Sequence, residues 1–208
     1  MRVTIIGAGN MGRGIGTRAV AGGDEVEVVD NDPAEAKALA DELGDKATAA
    51  DKGSIGGEIV VLAVYYPATL AAAEEYGDQL AGKVVVDISN PVDFETMDGL
   101  AVPADTSGAE ELAKALPSGT PVVKAFNTTF ANTLAAGEVA GQTLDVFVAG
   151  DDEAAKQTVA TLIESGGLRP LDVGPLRRAR QLEQLMFLNI TIQEPLGLGY
   201  QSAIKVLP

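Results

Sequence analysis

The 208-residue sequence contains no cysteine and no histidine. The first absence excludes disulfides, thiolate metal sites and thiol nucleophiles. The second removes the side chain that most often moves protons near neutral pH and most often ligates metals. Any chemistry must run without either group. Cations are scarce as well, with 15 Lys and Arg against 30 Asp and Glu, a net charge of −15. Nucleic acid is a poor partner for such a chain, because phosphate contacts need clustered Lys and Arg. The acidity fits ordinary solubility, or adaptation to salt. No apolar run reaches the ~18 residues of a membrane span. Met1-Arg2-Val3 enters a strand at once, leaving no room for a signal peptide, so the expected address is cytoplasmic.

What is present is a 46% hydrophobic fraction, ample for a core. Its length suits one domain over 1–208, with a helical C-terminal segment from about 176. The organising stretch is Gly7-Ala8-Gly9-Asn10-Met11-Gly12, which follows the apolar run Val3 to Ile6 and opens a helix-like segment. In that strand-to-helix setting the G-x-G-x-x-G spacing has a mechanism. Gly7 allows the tight turn, Gly9 lets backbone approach a pyrophosphate, and Gly12 lets helix and strand pack closely. The helix start offers unpaired N–H groups to phosphate oxygens. With 24 glycines in the chain the motif alone is weak, but a second apolar run, 26–29, ends on Asp30. Asp30 is either the carboxylate that accepts hydrogen bonds from an adenosine ribose and repels a 2′-phosphate, in which case these residues lean towards NAD, or a helix-lead-in acid like Asp32.

Strand-like and helix-like segments then alternate to the end, predicting an α/β fold: one Rossmann-type, doubly wound, mostly parallel sheet with a short helical C-terminal extension. Strands are expected at 46–49, 58–64, 83–87, 121–126, 144–149 and 168–173. Asp32-Pro33 starts a helix, as Asp152 does later, and Ser107 opens another. The stretch 92–106 reads as a long acidic loop, a feature more often functional than idle. Leu182, Leu185, Met186 and Asn189 mark one stripe of a last helix. That stripe and the apolar tail 197–204 suggest a homodimer.

Ligands of an open α/β sheet sit beyond the carboxyl ends of its strands. The exits here are the glycine loop, Asp30-Asn31, Ala63-Val64-Tyr65-Tyr66, Ser89-Asn90-Pro91 and Ala125 to Thr128. Tyr65 and Tyr66 either shelter a nicotinamide or pack under the loop. Asn90 and Asn127 either hydrogen-bond ribose or carboxamide, or serve ordinary turns. Lys124, inside a strand, is expected to point to solvent or to pair with an acid. Arg177, Arg178 and Arg180 are read as surface ion pairs, with an anionic ligand tail as the alternative.

With the glycine loop, Ser107-Gly108-Ala109-Glu110-Glu111-Leu112, Val123-Lys124-Ala125-Phe126-Asn127-Thr128 and Gly167-Leu168-Arg169-Pro170-Leu171-Asp172 together, the chain resembles the reduced-deazaflavin:NADP oxidoreductases of archaea and actinobacteria. It is similar also to the cytosolic part of certain membrane ferric reductases. The resemblance implies a usually dimeric Rossmann-type enzyme that passes hydride between NADP or NAD and a deazaflavin (coenzyme F-420) or a flavin such as FMN. It implies pyrophosphate contacts at Gly9, Asn10, Met11 and Gly12, and a nicotinamide side near Val64, Tyr65, Ser89 and Ala125. Members that prefer NADP place Ser-Arg where this chain has Asn31-Asp32, and the loop that is usually Pro-Trp is Tyr65-Tyr66 here. The alternatives are an imine or hydroxyacid reductase whose site a dimer completes, and a dinucleotide-binding regulator without turnover.

Overall fold

The computed structural model describes residues 1–207. Its centre is built from runs of β-branched residues: β1 (Arg2–Ile6), β2 (Glu25–Val29), β4 (Ile59–Leu62) and β5 (Val84–Asp87). Such runs suit strands covered on both faces. With β3 (Ala47–Ala49) and β6 (Val122–Lys124) they form the parallel order β3-β2-β1-β4-β5-β6. β9 (Asp145–Gly150) then adds antiparallel to β6, and β10 (Arg169–Asp172) parallel to β9. Strand order reverses at β1, between β2 and β4. That switch point is where an open sheet leaves a crevice for ligands.

Helices cover both faces. α1 (Asn10–Ala21), α2 (Pro33–Leu43), α5 (Ala131–Ala136) and α6 (Glu153–Ser165) bury Ile15, Leu39, Leu134 and Leu162 against one face. α3 (Tyr66–Leu80), α4 (Gly108–Ala115) and α7 (Ala179–Thr191) bury Tyr76, Leu112 and Ala179 on the other. The expected caps are in place. Asp32 accepts from the Ala34 N–H, Ser107 from Glu110 and Asp152 from Ala155.

Three features differ from the sequence expectation. The strand expected at 58–64 ends at Leu62, which frees Ala63 and Val64 for the exit loop. α5, six residues long, and the hairpin of β7 (Glu138–Val139) with β8 (Gln142–Thr143) are too short in sequence to show a period. Part of the apolar tail packs on its own chain. Ala203 packs on the main core and Ile204 on the cluster around Phe147.

That tail is anchored by Asp145, whose carboxylate holds Arg169, Lys205 (2.6 Å) and the Val206 N–H (2.9 Å). Burial alone would raise the Asp145 pKa, but these hydrogen bonds outweigh it and bring it to about 2. The folded value lies below the ordinary ~3.9, so the anchorage is complete above that pH and is lost as pH falls towards 2. The protection factor of the Val206 amide in hydrogen exchange should fall across that window. A flat profile would show that Asp145 does not hold the tail.

Candidate active site at the strand exits

The exits of β1, β4, β5 and β6 open onto one cavity of about 700 Å³. On its β1 side the turn is set by Gly7, whose φ of +112° and 2.5 Å approach of a Cβ to the Ala63 carbonyl exclude other residues. A Cβ on Gly12 would lie 2.0 Å from the Gly7 carbonyl oxygen, so α1 can sit on β1 only with glycine there. Gly9 differs from both. It is exposed, its φ is −72°, and a Cβ would meet nothing within 4 Å. The Ala8 N–H is spent on Asp30 (2.7 Å). The N–H groups of Gly9, Asn10, Met11 and Gly12 donate to nothing among the described residues. A helix start with its donors free and no acid in its first turn is an anion cradle.

On the β5 and β6 side, Asn90 Nδ2 donates to the Asn127 carbonyl (2.9 Å) and Asn127 Nδ2 donates to Asn90 Oδ1 (3.0 Å). This lock leaves Asn127 Oδ1 buried without a donor, and Ser89 Oγ is likewise buried and unpartnered. Both residues line the cavity. Orphaned buried polar atoms are uncommon and costly, so two of them on residues that line one cavity mark it as a candidate polar site. Backbone strain concentrates here too. Phe126, just before Asn127, has φ +61°, and the lining residues Met97 and Tyr200 have φ +52° and +58°. Such conformations persist where surrounding structure imposes them, often at functional sites.

Beneath Ser89 lies a fully buried ion cluster. Lys124 Nζ donates to Asp87 (2.8 Å), Glu183 (2.7 Å) and the Ser89 carbonyl. Glu183, from α7, also accepts from the Gly108 N–H (3.0 Å) and so caps α4. Burial opposes the Lys124 charge, but the Asp87 and Glu183 carboxylates outweigh it, and its pKa is raised. Glu183 is also raised, first by burial and against the pull of Lys124. Of the two expectations for Lys124, pairing with acids holds and exposure does not: its stem is enclosed between β5, β6 and α7.

Nine expected site residues line the cavity: Gly9, Asn10, Met11, Ala63, Val64, Tyr65, Ser89, Asn90 and Asn127. Gly7 and Gly12 are not among the lining residues and pack behind it, Gly12 with its N–H group unspent. Asp30 and the exposed Asn31 lie outside it, at the exit of β2. Ala125, expected near the nicotinamide, does not line the cavity. It is wholly buried in the main core and offers no surface to a ligand. Tyr65 is 76% exposed, with its ring edge-on to Phe94 at 6.0 Å, so it flanks the mouth and does not seal it.

Arg180 makes a forked pair with Glu110 (2.6 and 2.8 Å), as expected of an ion pair. Arg177 and Arg178 are exposed at the start of α7, about 18 Å along the helix from the lining residue Ile190. The sequence did not reveal the apolar half of the cavity. Val92, Phe94, Met97, Phe130, Met186, Ile190 and Tyr200 come together from four separated segments.

A parallel sheet of this order, with a glycine turn at its switch point and an acid after β2, defines a Rossmann-type dinucleotide-binding domain. Comparison with known proteins narrows the class. Residues 2–91 match the sequence model of a family described as NADP oxidoreductase, coenzyme F420-dependent. A solved structure from Arthrobacter sp. FB24, provisionally named an F420-dependent NADP reductase, superposes with a TM-score of 0.86 at 30% identity, over 99% of both chains. The F420-dependent NADP reductase of Methanothermobacter marburgensis is 28% identical over 93% of each chain. The rat metalloreductase STEAP3 is 35% identical over 88% of this chain, which spans only 36% of that protein. The chain belongs to the coenzyme F420-dependent NADP oxidoreductase family and is an NAD(P)-dependent oxidoreductase. Among the described residues, no helix is long and apolar enough to cross a membrane.

Proposed function

We propose that the chain transfers hydride between a nicotinamide dinucleotide and the planar ring of a deazaflavin, coenzyme F420, with a flavin such as FMN as the second candidate partner. The observation that carries this reading is the composition of the single cavity at the switch point. One side is a phosphate-binding turn with free N–H groups, and the opposite side is an apolar compartment. No Asp, Glu, Lys or Arg lines it among the described residues. That inventory suits ring-to-ring hydride transfer, in which both rings bring the chemistry and the protein supplies position and exclusion of water.

In this reading Gly9, Asn10, Met11 and Gly12 hold the pyrophosphate through backbone N–H groups, and Asp30 with Asn31 meets the adenosine ribose. Ala63, Val64 and Tyr65 flank the nicotinamide. Asn127 Oδ1 and Ser89 Oγ meet its carboxamide or ribose, with Asn90 fixing the Asn127 amide. Phe130, Met186, Ile190 and Tyr200 bound the compartment for the second ring. Lys124, committed on three sides within the ion cluster, is withdrawn from acid–base work, which removes the lysine an imine or hydroxyacid reductase would use. We propose further that residues 1–208 act as one domain and that the unit is a homodimer, with the exposed Leu188 beside the half-buried Leu185 as its apolar contact. A monomer in sedimentation at micromolar concentration would remove the dimer.

The test is anaerobic mixing of the protein with NADH or NADPH and oxidised F420, then FMN, following each visible band. Catalytic bleaching of the deazaflavin is expected. Dinucleotide binding with neither band bleached would overturn the proposal.

A further inference from the structure

We infer that the adenosine end of the site is built for an unphosphorylated 2′-hydroxyl, so that this chain takes NADH in preference to NADPH. The inference rests on the dinucleotide reading above and concerns residues outside the cavity. Asp30 stands at the exit of β2 and cannot swing away. Its Oδ2 accepts from the Ala8 N–H of the glycine turn (2.7 Å) and its Oδ1 from the Asp32 N–H (3.0 Å). Each carboxylate oxygen keeps a further lone pair, so the pair of oxygens can still accept from the 2′- and 3′-hydroxyls of a ribose. A 2′-phosphate in that place would bring its own negative charge against a carboxylate held there by two N–H groups.

The start of α2 is the natural landing place for a phosphate beside this ribose, yet the donors of its first turn are used. Pro33 has no N–H. The Ala34 N–H goes to the Asp32 side chain (2.9 Å) and the Glu35 N–H to the Asp32 carbonyl (3.1 Å). Asp32 as cap and Glu35 in the first turn add negative charge where a phosphate would need positive. The neighbouring cations are already paired: Arg13 with Glu42 and Lys37 with Asp41. Asn31, between the two acids, is neutral and exposed. The same helix terminus that is open in α1 is closed in α2.

The test is calorimetric titration of the full chain with NADH and NADPH at equal ionic strength, repeated with ADP-ribose and its 2′-phosphate. NADH and ADP-ribose should bind at least about tenfold more tightly than their 2′-phosphorylated counterparts. The double change Asp30→Ser with Asn31→Arg should reverse the ratio. Asn31→Arg alone, which leaves both Asp30 hydrogen bonds in place, should narrow it if the double variant does not fold. Equal or tighter binding of NADPH overturns this inference while leaving the hydride-transfer reading intact. Binding of neither dinucleotide overturns both.

Discussion

Lys124→Met is expected to destabilise the fold by about 3–5 kcal/mol, the usual cost of removing one partner from a buried ion cluster. For a chain of this length that corresponds to a fall in melting temperature of about 10 °C or more. The reason is arithmetic of charge. Asp87 and Glu183 are both fully buried, and Lys124 is the cation that holds them. Without it, two carboxylates face one another in a water-free space beneath Ser89. Glu183→Gln acts differently. It retains an acceptor for the Gly108 N–H and removes one of the two negative charges, so its cost should be about 1–2 kcal/mol. Because burial already raises the Glu183 pKa, its neutral form is the cheaper one to bury. Thermal unfolding of the two variants checks this order. A Lys124→Met variant within about 0.5 kcal/mol of the parent, as for a surface change, would show that the cluster holds nothing together.

The second large effect is on binding and leaves folding alone. Gly9→Val should weaken dinucleotide binding by two orders of magnitude or more, since it obstructs several charge-assisted hydrogen bonds of about 1.5–3 kcal/mol each. The fold should survive, because Gly9 has an ordinary φ and open space where a Cβ would project. Gly12→Val, in the same motif, should instead damage folding through its clash with the Gly7 carbonyl. The pair separates the two roles that glycines play in one loop. A Gly9→Val protein with unchanged circular dichroism and unchanged dinucleotide affinity would mean that the loop only packs.

These two sites also show where the sequence was legible. The glycine loop could be read because its residues are contiguous and each spacing has a backbone reason. The central strands could be read for a similar reason: β-branched runs such as Ile59–Leu62 are buried on both faces. The direction of β9 was not legible, since an apolar run looks the same parallel or antiparallel. Nor were the partners of Lys124, which lie 37 and 59 residues away along the chain. Sequence spacing says nothing about which strand exit a later helix will cross. The burial of Ala125 was not legible either. It follows β6 directly, as a site residue would, but there the chain still runs inside the core, and only beyond the strained Phe126 does it reach the cavity. The apolar half of the cavity was hidden because its side chains, from Phe94 to Tyr200, resemble core residues until the tail folds back beside Phe130.

Direct hydride transfer in a site that contributes no acid or base has one distinguishing signature. NADH deuterated at C4 in either stereochemical position should be mixed with oxidised deazaflavin and the protein, and the product examined for label at the deazaflavin C5, where a transferred hydride does not exchange. One of the two labelled forms should deliver its deuterium quantitatively to that carbon, with none lost to solvent. Reduced deazaflavin free of deuterium from both forms, or label appearing in water, would contradict direct transfer.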